Sequence, residues 1–111
     1  MSEELLELVK DWEDPWPDPV IQDYDGIKVV RDDLLTAGSK VRFIDYYIKT
    51  LPEEVKEVVF GECPATGYAQ ISLPVVCNKY NRKAILFMAE RSLNNLHPFQ
   101  IMGLQKGAYY Q

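Results

Sequence analysis

Ala84-Ile85-Leu86-Phe87-Met88 is the clearest buried strand in the chain: five apolar residues in a row, bounded by Lys83 before and Ala89-Glu90-Arg91 after. Too short for a membrane span, it is the core of a sheet. Upstream, Val58-Val59-Phe60-Gly61 reads as a second short buried strand, followed by the loop Glu62-Cys63-Pro64-Ala65-Thr66-Gly67 and a helix from Tyr68 to Tyr80 in which Pro74 predicts a kink. Downstream, a helix near Pro98-Phe99-Gln100-Ile101-Met102 is closed by Gly107, and Ala108-Tyr109-Tyr110-Gln111 starts a third strand. Three strands joined by two helices make two right-handed crossovers and hence a parallel sheet covered by helices. The expected fold class is α/β: a short N-terminal helix and hairpin, then a three-layer-type parallel sheet built from βαβαβ crossovers.

Working towards the N-terminus, Pro52 suits the start of a helical turn, and Val41, Ile44, Tyr47 and Ile48 set out a helical face. Thr36-Ala37-Gly38-Ser39 leads into that helix with Ser39 as its capping residue, which puts Lys40 in the first turn. Val20 to Tyr24 and Ile27 to Arg31 flank Asp25-Gly26, a dipeptide suited to a tight hairpin turn. Leu5, Leu8, Val9 and Trp12 recur at helical spacing after Glu3 and Glu4, and Pro15, Pro17 and Pro19 then impose an extended connector. Residues 1–19 are thus an N-terminal helix and Pro-rich connector, anchored by burial of Trp12 and Trp16, and residues 20–111 a partial α/β domain.

The chain has 111 residues, 47% of them apolar, and 12 basic against 17 acidic side chains, for a net charge of −5. One domain with a core of its own is expected. A negative field repels phosphate backbones, and the basic residues are dispersed, so no nucleic-acid partner is expected. No apolar window reaches membrane-helix length and the N-terminus is acidic, so neither a membrane partner nor a leader peptide is expected and the location is read as cytoplasmic. Cys63 and Cys77 have no zinc or disulfide-framework spacing and read as reduced interior thiols. His97 before Pro98 reads as a helix cap or surface residue, and Glu53, Glu54 and Glu57 as a solvated face; no metal site is expected.

Two places carry chemistry. Ligands of parallel sheets bind outside the carboxyl ends of the strands, where Cys63 to Gly67 leads into a helix N-terminus; binding loop and plain connection both remain open for it. Lys40 gains nothing from a cation's place at a helix N-terminus. An amine near helix amides and partly desolvated loses its proton more easily and can condense with an aldehyde, although a lysine there is also an ordinary solvated side chain.

Arg31-Asp32-Asp33-Leu34-Leu35-Thr36-Ala37-Gly38-Ser39-Lys40-Val41-Arg42 resembles the segment of fold-type II pyridoxal-phosphate enzymes, in the aminocyclopropane-carboxylate deaminase and D-cysteine desulfhydrase branch, that reads Arg-Asp-Asp-Leu, a Gly-rich stretch, then Asn-Lys-x-Arg. That resemblance implies that Lys40 holds the cofactor as a Schiff base, with Ser39 beside it and Tyr68 near the cofactor ring. The strand, polar loop and helix carrying Gly67-Tyr68-Ala69-Gln70 are similar to the family's substrate-binding loop, which implies substrate contacts at Thr66, Gly67 and Gln70. Leu104-Gln105-Lys106-Gly107-Ala108 is similar to a later Leu-Gly-Ala turn. The likeness runs from about Val20 to Gln111 and corresponds to a truncated N-terminal part of such an enzyme.

Two functions follow as expectations. In the first, the chain is part of a pyridoxal-phosphate-dependent lyase or deaminase-like enzyme acting on a small amino acid, its site completed by a second polypeptide. In the second, it is a catalytically inactive interaction or regulatory module, as a homo-oligomer that covers what the missing domain would cover.

Overall fold

The computed structural model describes residues 2–111, and the side chain of Leu8 lies outside the described residues. Helix α1 (Glu3–Val9) is capped by Ser2, whose hydroxyl accepts from the Leu5 N–H, with Glu3 and Glu4 in its first turn. Its Leu5 and Leu6 are exposed. Strands β1 (Ile21–Tyr24) and β2 (Ile27–Val30) form the antiparallel hairpin around Asp25 and Gly26, both at positive φ, as the Asp-Gly turn requires. Helix α2 (Lys40–Thr50) follows. Then come β3 (Glu57–Phe60), α3 (Ala69–Lys79), β4 (Lys83–Leu86), α4 (Pro98–Gln105) and β5 (Tyr109–Tyr110). The strands lie in the order β3-β4-β5, all parallel, with Val59 level with Ile85 and Ile85 level with Tyr109. The chain is α/β, as its sequence predicts. No helix among the described residues is long and apolar enough to cross a membrane.

Both crossovers step in the same direction along the sheet, so right-handed connections place α3 and α4 on one face. Tyr110 marks that face: its hydroxyl donates to Gln70 Oε1 of α3 at 2.9 Å and lies 3.2 Å from the Gln100 carbonyl of α4. The core fills it, with Ala84, Leu86, Ile71, Val76, Cys77, Val41 and Ile48 all buried. The described residues supply two of the three layers expected of a covered parallel sheet.

Pro74 does not interrupt α3, which runs through it. The proline nitrogen has no hydrogen to give the carbonyl of Gln70 one turn earlier. Gly103 of α4 lies against that carbonyl, so close that a Cβ there would be 2.7 Å from it. The missing donor and the missing side chain let two helices approach at this point. Helix α4 ends as predicted: Gly107 has φ +91° and the Ala108 N–H reaches the Gly103 carbonyl at 2.9 Å.

The turn expected at Pro52 is present, closed by the Val55 N–H on the Pro52 carbonyl at 3.0 Å. One expectation is corrected. Ser39 stands at the start of α2 with its backbone already helical (φ −64°, ψ −24°) and makes no side-chain cap; an extended backbone is what turns a serine oxygen towards the first-turn amides.

The connector is anchored as expected. Trp16 packs against the core and takes the Lys79 ammonium on its ring at 5.1 Å, while Trp12 meets Tyr46 edge-on at 6.2 Å. Lys79 also pairs at 2.6 Å with Asp45, which is fully buried and accepts from the Tyr80 hydroxyl.

Candidate functional site

Lys40 is placed by the loop before it. Ala37 and Gly38 both have positive φ (63° and 79°), reversing the chain between the turn at Asp32–Leu34 and α2. The Ser72 hydroxyl of α3, wholly buried, donates to the Ala37 carbonyl at 2.6 Å and fixes this reversal to the core. Gly38 is required twice, by its φ and because a Cβ would lie 3.1 Å from Cδ1 and Cε1 of Tyr68. Tyr68 in turn stands edge-on to Phe99 with ring centres 5.2 Å apart. Thus α3, α4 and the Gly38 loop together set one aromatic face beside the start of α2.

Between these groups lies a cavity of about 440 Å³ lined by Val30, Asp32, Asp33, Gly38, Ser39, Lys40 and Tyr68. Ser39, Lys40 and Tyr68, three of the six positions singled out by sequence, come together here. Lys40 makes no ion pair among the described residues. The two carboxylates in the cavity are already paired. Asp33 receives both Arg31 nitrogens at 2.8 Å, which holds its carboxyl below the usual range, and Asp32 is paired with Arg42 at 3.1 Å. Arg42 reaches Asp14 of the connector at 2.6 Å as well, and these two carboxylates hold its guanidinium firmly protonated. The Arg-Asp-Asp motif therefore pins the connector and hairpin beside the cavity. Among the described residues, the cavity's one unpaired cation is Lys40.

The remaining three positions do not line that cavity. Thr66 is exposed on its loop. Gly67 spends its N–H on the Pro64 carbonyl at 2.9 Å and its carbonyl on Gln70 Nε2 at 2.8 Å. Gln70 is wholly buried, donating also to the Ala65 carbonyl and accepting from Tyr110, so its amide shapes the loop from inside. At the start of α3, the Ile71 N–H is taken by the Tyr68 carbonyl at 2.9 Å. At the α2 end, the Val41 and Arg42 amides are taken by the Gly38 and Ser39 carbonyls at 3.3 and 3.2 Å. Both helix starts thus have part of their donor set spent internally, which lowers their capacity for an anion.

Lys40 is exposed, so this chain does not supply the partial desolvation expected of it. Its charge is felt by Cys63, whose buried thiol is pushed up by desolvation, against the opposing pull of Lys40 and of the Gln70 N–H. Both thiols are buried and free, as expected, and His97 is a cap: its Nδ1 accepts from the Phe99 N–H at 3.1 Å. A second cavity of about 450 Å³, lined by Met88, Leu93, Leu96 and Leu104 together with Glu90 and Arg91, holds no lysine among the described residues. Sequence reasoning missed Asp45, although its place between Val41 and Ile48 on the buried stripe of α2 is a readable signal. It also missed Gly38 as the seat of Tyr68, which no local pattern encodes. The sequence matches no family model, and no curated protein matches it.

Proposed function

We propose that this chain is the lysine-bearing part of a pyridoxal-phosphate-dependent enzyme of lyase or deaminase type, acting on a small amino acid, with its site completed by another polypeptide. The observation that carries the reading is the cavity at the start of α2, where an unpaired amine, Lys40, and an aromatic face, Tyr68, border one open volume. An aldehyde on a pyridine ring fits such a place: the amine can hold the aldehyde carbon and the aromatic ring can face the heterocycle. The phosphate does not fit this chain alone, because among the described residues the only other charged groups lining the cavity are Asp32 and Asp33. Donors for it belong to the completing chain, and so does the water exclusion that exposed Lys40 lacks here.

When bound, pyridoxal phosphate supplies an electron sink for charge developing beside the amino group of a substrate. Of this chain's residues, Lys40 Nζ binds and orients, and once released it is the base that holds the proton taken from the α-carbon or its neighbour. Ser39 and Tyr68 border the ring position. Thr66, Gly67 and Gln70 act at one remove, shaping the loop that leads to Tyr68.

Absorbance titration of the chain with pyridoxal and with pyridoxal phosphate tests this. The expected result is a saturable band with both, of similar affinity because the phosphate has no partner in this chain, and its loss in Lys40→Ala. An unchanged titration in Lys40→Ala overturns the assignment. A second reading, a non-catalytic interaction module, is favoured by the uncovered face of the sheet.

A further inference from the structure

Strand alternation sorts the sheet residues into two sets. Val58, Phe60, Ala84, Leu86 and Tyr110 face the helices, with Phe60 left 37% exposed. Glu57, Val59, Lys83, Ile85, Phe87 and Tyr109 face the other way, and Val59, Phe87 and Tyr109 are 56%, 47% and 52% exposed. Val59, Ile85 and Tyr109 form one apolar row across all three strands. Parallel sheets are almost always covered on both faces. The chain as a whole exposes 7950 Å², more than the about 6,300 Å² of a compact monomer of its mass, and this face shares that excess with α1, the hairpin and the exposed sides of α2 and α4.

We propose that the open face of β3-β4-β5 is a homodimer interface, covered by the same face of a second copy of this chain. Charge selects the copy. The molecule carries a net charge of −5, but this face is neutral: Glu57 and Lys83 stand across from each other at 3.8 Å, and the Lys83 ammonium lies 4.1 Å from the centre of the Tyr109 ring. Two copies meet here without the like-charge repulsion imposed elsewhere, and a two-fold interface needs a patch complementary to itself. A partner chosen by charge would instead face a patch of one sign. Sheet faces pack on one another about 10 Å apart, with side chains such as Val59 and Ile85 interdigitating.

The inference is independent of any chemistry at Lys40, and Lys40→Ala leaves it untouched. Sedimentation equilibrium of the full chain is expected to give twice the mass of the 12.8 kDa chain. Val59→Lys is expected to weaken association by about 100-fold or more, as the loss of a central apolar contact together with a buried charge does. Ile27→Lys, at an exposed position on the hairpin, is expected to leave the dimer intact. Tyr109→Ser provides the same readout where circular dichroism shows that Val59→Lys has lost its fold. A monomer at high micromolar concentration, a larger particle, a dimer that survives both sheet variants, or one broken by Ile27→Lys overturns the proposal.

Discussion

The two faces of the three-stranded sheet are built from the same residue types and differ in whether their groups have partners. On the helix face, the Gln70 carbonyl freed by Pro74 receives Gly103, the Gln70 side chain takes up Ala65, Gly67 and Tyr110, and Ser72 holds the Ala37 carbonyl. On the open face, an apolar row is bordered by one ion pair, with Lys83 over the Tyr109 ring, and Val59, Phe87 and Tyr109 stay about half exposed. The contrast teaches where change is costly. A packed polar network punishes any edit, whereas an uncovered row tolerates one until its partner arrives.

The largest effect is expected at Gly103. A methyl group there would collide with the Tyr110 hydroxyl and the Gln70 carbonyl, and α3 and α4 are held apart from neither side by anything flexible. Gly103→Ala is expected to cost about 3 kcal/mol in urea unfolding, the upper part of the overpacking range. A cost below about 1 kcal/mol would mean that the helix contact is looser than its geometry implies.

Gln70→Leu is expected to cost about 2 kcal/mol, because it strands the Ala65 and Gly67 carbonyls and leaves Tyr110 only the Gln100 carbonyl. Loss of Tyr68 contacts need not accompany it, so the cost belongs to the network. The helix face also dictates an alkaline limit. Burial pushes the Cys77 thiol from 9.0 up to about 11, and Tyr110 from 10.0 up to about 12 by burial and then by the Cys63 charge. The folded chain keeps these protons at pH values where the unfolded chain has lost them, so stability present below pH 9 falls as pH rises through 9–12. Lys79, raised by its bond to Asp45, acts with the same sign. The loss is measured by denaturant unfolding across that range. A flat profile contradicts the burial of these groups.

The smallest effect is expected on the open face. At concentrations where the chain is monomeric, Tyr109→Ser removes only the exposed contact with Lys83 and is expected to change stability by about 0.5 kcal/mol or less. A loss several times larger would show that this face is already covered within the monomer.

The same division explains what was legible in the sequence. The unbroken run Ala84 to Met88, the Asp25-Gly26 turn and the Gly107 cap are local signals, and each gives its element directly. The open face was not legible, because a strand bordering solvent on one side and awaiting a partner carries the same apolar letters as one fully enclosed. Lys40 at the first turn of α2 was readable from the helical spacing after Ser39, while the failed Ser39 cap was not, since it depends on a backbone turned by Ala37 and Gly38. Gln70 could be seen as a polar residue near a loop; that its amide points inward is set by Tyr110, far away in sequence.

The amine at the start of α2 is set apart from the other lysines by the size of the cavity it borders with Tyr68, about 440 Å³, against about 280 Å³ at Lys49 with Tyr46 and about 220 Å³ at Lys56 with Tyr80. Reduction of the pyridoxal phosphate-treated chain with borohydride, followed by peptide mapping, tests this most directly. Preferential modification of Lys40 over Lys49, Lys56 and Lys106, which share its exposure, is the expected outcome. Equal modification of all four contradicts it.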